Sequence, residues 1–408
     1  MLPSVFFRVF RFVKVLGDRL VDLTTDVIYD RAGMTPGVRA YAAFLSALSM
    51  LFEAVVRLRV FLYDKRFLRD TPLGCKVVVV GNLTVGGTGK TPVTEKLARV
   101  LSERGRKVAI ISRGYKSRSP SSASRFVAWV THQGRPAPRI VSDGKRLLLE
   151  SAEAGDEPYM LARNLLPLGV TVIVHRDRVE AGAFAISRFA CDTILLDDGL
   201  QYLPLRGQIN LLLVDSTNPF GNRRLLPRGI LREPVRNLAR GTTIFLTKSN
   251  GRPDPDLLGT LHAANPLAEI VECAHVPRSL CTPDGMVTLP LDYLEGRRVM
   301  TFSGIATPEK FEDFVRDHGG KILNKRRFRD HHHFTPDEME DVFDDAVASD
   351  AEFVVTTEKD VVRLDADRKW KLPLYYLRLE IDILSGADAF DRTIRRICEG
   401  PVADAGLV

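Results

Sequence analysis

Cysteine is scarce in this chain and scattered. The five residues, Cys75, Cys191, Cys273, Cys281 and Cys398, show no CxxC spacing. An odd, dispersed set argues for free thiols in a reducing compartment and against a zinc site. A long hydrophobic run is also missing. Within the apolar stretch 40–63 only 13 consecutive residues, Ala40 to Phe52, lack a charge. That falls short of the roughly 18 expected of a membrane span. No small-residue cleavage site follows Leu16, which argues against a signal peptide, and no internal repeat is visible. Excess charge of one sign is small. A net +7 over 408 residues fits anionic partners without choosing among nucleotide, acidic lipid and nucleic acid. A hydrophobic fraction of 45% and a charged fraction of 27% are those of a globular protein, and the length suggests two or three domains.

What is present begins at residues 76–92, KVVVVGNLTVGGTGKTP. Four valines run into a glycine-rich turn that ends in Gly89-Lys90-Thr91. A buried strand feeding such a loop, with a helix after it, turns backbone N–H groups and a helix dipole toward phosphate oxygens. The expected cradle is Thr84, Val85, Gly86, Gly87, Thr88, Gly89, Lys90 and Thr91. Lys90 is expected to reach the β- and γ-phosphates and Thr91 to hold Mg²⁺. Two departures narrow the class. Thr84 stands where the general loop has its first Gly. Val85 stands where membrane-recruited switch ATPases carry a signature Lys.

Further along, strand signals at 76–81, 107–112, 170–174, 193–197, 209–214 and 242–247 alternate with helical patterns at 91–103, 157–166 and 178–189. Fully apolar strands in that alternation predict a mostly parallel α/β sheet of the P-loop NTPase type. A second, smaller α/β lobe is expected, with strands at 297–302, 321–327, 352–356 and 374–379 and helices at 307–318, 335–346 and 358–366. The expected domains are 1–70, amphipathic membrane-associated helices; 71–290, the P-loop unit; and 291–408, a lobe that closes a cleft. In the first of these, Arg8, Arg11 and Lys14 form a basic stripe in 5–16. Ser46, Ser49, Glu53 and Arg57 form a polar face opposite Phe44, Leu48, Leu51, Val55, Leu58 and Leu62. That pattern suits a helix lying in a membrane interface, with basic flanks for anionic lipid. Packing on the protein's own core is the alternative. The Ser-rich segment 116–125 is expected to be a mobile loop.

Several residues carry chemistry. The strand TILLDDG (193–199) delivers Asp197 and Asp198 beside the phosphate loop, where a carboxylate is needed for Mg²⁺. Asp156, in GDEP, either caps a helix or serves as the base that orients an acceptor hydroxyl. In FRDHHHF (328–334) one histidine is expected to face a cleft, with Asp330 setting the tautomer of His331. Five arginines in 223–236 suit anionic groups, and Arg113 follows a strand on the same sheet edge as the loop. In 247–250, TKSN lacks the Asp of a guanine reader, which favours ATP over GTP.

Taken in order, GNLTVGGTGKTP (81–92), SRGY (112–115), GDEP (155–158), LLDDGLQ (195–201), LPRGILREP (226–234), FRDHHHF and TTEKD (356–360) resemble the tetraacyldisaccharide 4'-kinase family, over residues from about 40 to 390. The resemblance implies transfer of the ATP γ-phosphate to the 4'-hydroxyl of a tetraacyl glucosamine disaccharide 1-phosphate in lipid A synthesis. It implies ATP and Mg²⁺ as cofactors. It implies a lipid-linked disaccharide and an anionic membrane surface as partners, with no nucleic acid, at the cytoplasmic face of the bacterial inner membrane. By the same resemblance Asp156 acts as catalytic base assisted by His331, alongside Lys90. Asp197 and Asp198 handle Mg²⁺, and Glu233 lies near the site, with Arg113 and Arg232 as substrate-side candidates. A membrane-recruited P-loop ATPase acting as a switch, and a soluble P-loop kinase, are the competing expectations.

Overall fold

The computed structural model describes residues 21–31, 33, 35–114, 137–365 and 368–399. The basic stripe at 5–16 and the Ser-rich segment at 116–125 lie outside the described residues. The strands are β1 (Lys76–Asn82), β2 (Val108–Ser112), β3 (Arg139–Asp143), β4 (Thr171–Val174), β5 (Thr193–Asp197), β6 (Ile209–Asp215) and β7 (Thr243–Thr247). They continue with β8 (Glu269–Cys281), β9 (Thr288–Pro290), β10 (Arg298–Ser303), β11 (Lys321–Arg327), β12 (Phe353–Thr357) and β13 (Leu374–Ser385). The longer helices are α1 (Pro36–Asp64), α2 (Lys90–Glu103), α3 (Asp156–Leu165), α4 (Arg178–Phe189), α5 (Pro255–Ala264), α6 (Pro308–Asp317), α7 (Pro336–Ala348) and α8 (Ala387–Glu399).

All the strands join one sheet, ordered β11-β10-β12-β13-β8-β7-β6-β1-β5-β2-β4-β3, with β9 on β8. The run Val77–Val80 explains the centre. Val78 and Val80 enter the core on one face of β1, Val77 and Val79 the core on the other, so the strand is apolar throughout. Neighbours of β1 are parallel on both sides. The second half, β10–β12, is also internally parallel, and the two halves meet at the long antiparallel pair β8–β13.

Register along that ribbon builds the cleft. β7 pairs with β8 from Thr243↔Glu269 to Leu246↔Glu272, advancing toward the ribbon's middle. β12 pairs with β13 from Val354↔Leu374 to Thr357↔Leu377, and Leu377 stands opposite Leu280. Because β13 runs against β8, the carboxyl ends of both half-sheets point at the same stretch, roughly residues 273–279. Ligands of open α/β sheets bind outside strand carboxyl ends, and here two such edges face each other.

Several elements depart from the sequence-based expectation. β8 was not foreseen, because Pro277 interrupts its pattern; Pro277 sits opposite Leu379 at a register shift, a position where a strand tolerates proline. β3, β9, α5 and α8 were also unforeseen. α8 buries Ala389, Phe390, Ile394 and Ile397 in the core of the first half, with Phe390 edge-on to Phe245 at 6.2 Å. The helix expected over 358–366 is one turn, Glu358–Val361, whose side chains are tied to other elements as described below.

α1 lies on the first half. It buries Leu45 and Ser49, packs Phe52 against the core, and Ser49 Oγ donates to the Leu225 carbonyl at 2.8 Å. Ser49 thus faces the protein rather than solvent. Phe44, Leu48, Leu51, Val55 and Leu58 remain exposed along one stripe. No helix among the described residues is long and apolar enough to cross a membrane.

Candidate active site

The phosphate loop spans the end of β1 and the start of α2. Gly89 takes φ +82° as the residue before α2, a conformation L side chains resist, and a Cβ there would lie 2.8 Å from His275 Cε1. Asn82 organises the turn: its Nδ2 donates to Thr84 Oγ1 at 3.1 Å and Thr88 Oγ1 at 2.9 Å. Its Oδ1 accepts from Lys90 Nζ at 3.1 Å and Arg232 Nη2 at 2.7 Å. Thr247 Oγ1 donates to the Thr88 carbonyl at 2.7 Å. The Val85 N–H donates to the Ile230 carbonyl at 2.8 Å, so it is already committed within the protein. Gly86 and Gly87 are exposed at the loop tip.

β5 delivers the two aspartates to opposite fates. Asp198, at φ +50°, receives both Arg232 amine groups at 3.0 Å and lies 3.4 Å from Lys90 Nζ. Burial pushes its pKa up, but Lys90 and Arg232 outweigh this and hold it at about 2. Asp197 is buried and accepts from the Thr94 hydroxyl at 3.4 Å. Burial, with the charges of Glu157 and Asp198, pushes it up to about 7. Neighbouring carboxylates driven apart in this way are a mark of a working site. Asp197, Asp198 and the buried hydroxyl of Thr91 are hard oxygen donors of the kind that would suit Mg²⁺, with Asp198 already paired to Lys90 and Arg232. Among the described residues no three His, Cys, Asp or Glu side chains form a metal cage.

α3 packs on α2 in the same core, and Gly155 at φ +91° precedes it; the Asp156 side chain does not cap the helix. Its Oδ2 instead meets His331 Nδ1 at 3.1 Å and Arg363 Nε at 2.9 Å. Burial raises the Asp156 pKa, the His331 hydrogen bond and the Arg363 guanidinium lower it, and the net shift is downward. Arg363 also binds Asp360 Oδ1 at 2.9 Å and lies 3.3 Å from His331 Nδ1. The carboxylate beside His331 is therefore Asp156; Asp330 is exposed. His331 holds φ +62°. His332 has a different task, stacking on Phe328 at 4.9 Å and meeting Glu338 at 2.9 Å.

The remaining expected residues spread outward. Arg232 is central: its Nε donates to the Thr84 carbonyl at 2.9 Å and its Nη1 to Gln201 at 3.0 Å. Glu233 is buried behind it, holding Gln201, Asn237 and Arg240 at 3.1, 2.7 and 2.8 Å. Arg228 turns away to the Val27 carbonyl and Asp30, whereas Arg223, Arg224 and Arg236 are exposed. Arg113 is exposed just past β2. Arg363, Lys359 and Arg178 were missed: Lys359 lies in TTEKD, to which no role attached, and the other two lie in no motif singled out. Arg178 Nη1 donates to the Asp198 carbonyl at 2.9 Å and its guanidinium stacks on Tyr202.

This geometry can be compared with known proteins. The pattern of the family described as tetraacyldisaccharide-1-P 4'-kinase (LpxK) matches residues 41–399. The chain belongs to the tetraacyldisaccharide 4'-kinase family. It is 39% identical to the tetraacyldisaccharide 4'-kinase of Anaeromyxobacter dehalogenans over 84% of this chain and 87% of that one. It is 36% identical to the Desulfatibacillum aliphaticivorans enzyme over 86% and 92%. A crystal structure of LpxK from Aquifex aeolicus in complex with ATP superposes with a TM-score of 0.69 at 29% identity, over 88% of this chain and 99% of that one. Membership settles the competing expectations in favour of an ATP-dependent kinase over a switch protein. The α/β fold with a P-loop sheet agrees with the same match.

Proposed function

We propose that the chain transfers the γ-phosphate of ATP to the 4'-hydroxyl of a tetraacyl glucosamine disaccharide 1-phosphate, working from the cytoplasmic face of the inner membrane. One observation carries the assignment of roles: a carboxylate–imidazole pair, Asp156–His331, that joins the helix packed on α2 to the second half of the sheet, beside a Lys90–Asp198–Arg232 cluster at the phosphate loop. Residues 71–290 act as the donor unit, and residues from 291 onward bring His331 and Arg363 to the acceptor side. Lys90 and the N–H groups of Gly86, Gly87, Gly89, Lys90 and Thr91 take the phosphates. Thr91, Asp197 and Asp198 would hold Mg²⁺, which would supply charge neutralisation to the phosphates. Arg232 leaves part of its hold on Asp198 to meet anionic oxygen.

Asp156 is positioned to accept the hydroxyl proton, with His331 orienting it. A base with a lowered pKa is weak, and that is tolerable here. Phosphoryl transfer passes through a loose transition state that asks for alignment and charge more than for proton abstraction. The exposed stripe of α1 lies on anionic lipid, each of its large side chains gaining up to about 1.5–3 kcal/mol on leaving water. A lipid-anchored acceptor then meets the donor at the surface.

The test supplies γ-labelled ATP and a disaccharide 1-phosphate in mixed micelles. Label should enter the lipid at the 4' position. Asp156→Asn should still bind ATP while turnover falls by a factor of about 10²–10⁴. ATP hydrolysis without labelled lipid would refute the kinase reading, and a fully active Asp156→Asn enzyme would refute the role of the base.

A further inference from the structure

The segment TTEKD (356–360) has no role in the scheme above, yet it stands at the carboxyl end of β12, on the edge that faces the phosphate loop. Its charged residues divide the work. Glu358 is buried, accepts from Asn164 Nδ2 at the far end of α3 at 2.8 Å, and pairs with Arg378. Asp360 is fully buried and binds Arg363, which in turn holds Asp156. These two contacts already fix α3 against the second lobe at both ends.

Lys359 differs. Its Nζ pairs with Glu157 Oε1 at 2.7 Å, and both side chains keep 37% of their surface exposed. An ion pair that open contributes only about 0–1 kcal/mol to stability, too little to explain a lysine held there as a strut. Its surroundings are those of the reaction. Glu157 directly follows Asp156 and feels the charges of Lys359, Lys90 and His331. His275, whose ring would touch a Cβ on Gly89, feels the charge of Lys359. Lys359 therefore reaches from the carboxyl end of β12 to the residue next to Asp156. Burial works against its charge, but Glu157 more than offsets this, so the ammonium is present at neutral pH.

We propose that Lys359 is a catalytic residue: with ATP in the cleft, its ammonium turns from Glu157 to an oxygen of the transferring phosphoryl group and neutralises charge there. The proposal rests on the kinase reading above. Its chemistry is that of a cation supplied to the transferring group from outside the phosphate loop. No bond to the lysine forms, and its protons stay in place. Glu157 parks the ammonium while the site is empty, which limits the cost of holding an unpaired cation.

The test compares the full-length wild type with Lys359→Gln, Lys359→Arg and Glu157→Gln. It measures lipid phosphorylation, the thermal midpoint, and equilibrium binding of ADP with and without aluminium fluoride, the planar phosphoryl mimic. Lys359→Gln should lower kcat by a factor of about 10²–10³, in the range seen for single charge-stabilising groups. It should lose a comparable factor in fluoroaluminate complex affinity, while ADP alone binds within about threefold of wild type. Lys359→Arg should restore part of both. Unchanged fluoroaluminate affinity in Lys359→Gln would overturn the proposal, as would Glu157→Gln reproducing the whole loss, since that variant breaks the same pair and keeps the lysine. A wild type that fails to label lipid would defeat the kinase reading, and the fluoroaluminate comparison would still decide the role of Lys359.

Discussion

Replacing Arg363 with methionine removes a guanidinium that Asp156 and Asp360 share. The Arg363 side chain is 2% exposed, that of Asp360 0% and that of Asp156 15%. Breaking one partner out of a buried pair leaves charge without compensation and costs about 3–5 kcal/mol. Against a typical total of about 5–15 kcal/mol, the variant folds with a much reduced urea midpoint. The same change acts on chemistry. In the wild type the Asp156 pKa lies below 3.8, so its contribution to stability is complete above that pH and is lost as pH falls through the lowered value. Without Arg363, burial is opposed by the His331 contact alone. The acid limb of the pH–rate profile for phosphoryl transfer should then move upward, toward neutral pH. Urea unfolding and the pH dependence of kcat/KM, measured on one preparation, test both halves. Arg363→Lys keeps the charge without the fork and should fall between. A lowered midpoint with an unmoved acid limb would mean that Arg363 supports the fold and does not set the ionisation of Asp156.

Three further outcomes follow from the same geometry. Gly89→Ala should weaken ATP binding by a factor of ten or more in calorimetry, because φ +82° costs an L-residue about 1–2 kcal/mol and the added Cβ lies 2.8 Å from His275 Cε1; normal affinity would show that the loop relaxes freely. The pair Leu51→Glu and Val55→Glu should abolish sedimentation with anionic vesicles while leaving the thermal midpoint near wild type, since both side chains are exposed; vesicle binding that persists would remove the central stripe of α1 from the interface. His275 is pushed down to about 4, chiefly by burial and by Lys248. Its contribution to stability is complete above about pH 6.5 and lost as pH falls through about 4, with a ceiling near 3 kcal/mol that partial exposure reduces. His275→Asn should flatten the slope of stability between pH 7 and pH 4, and an unchanged slope would assign the acid sensitivity to other groups.

The donor half of the site is legible in the sequence because its parts are contiguous. Strand, turn and helix of residues 76–103 form one local unit, and TILLDDG is a strand whose apolar run names its neighbour. The acceptor half is assembled from distant pieces. Arg363 reaches Asp156 across 207 positions and Lys359 reaches Glu157 across 202. Neither contact leaves a periodic or compositional trace, so Asp156 taken alone reads first as a helix cap. β8 stayed hidden for a related reason: its proline is compatible with a strand only at the register shift its partner provides.

That hidden strand determines how the halves cooperate. Were β13 parallel to β8, the carboxyl ends of the two half-sheets would lie on the same side and share one continuous edge. Antiparallel pairing turns the second set around, so that residues just past β12 and β10 look back at residues just past β1 and β5. Each half then supplies what its strand ends hold: Lys90, Asp197 and Asp198 from one, His331, Lys359 and Arg363 from the other. A shift of one residue in the β8–β13 register would flip which side chains face the cleft. It would also slide the edges by about 3.3 Å, more than the slack in contacts of 2.7 to 3.1 Å at Glu157 and Asp156. Catalytic alignment is thus set by backbone pairing at the ribbon as much as by the residues in the cleft.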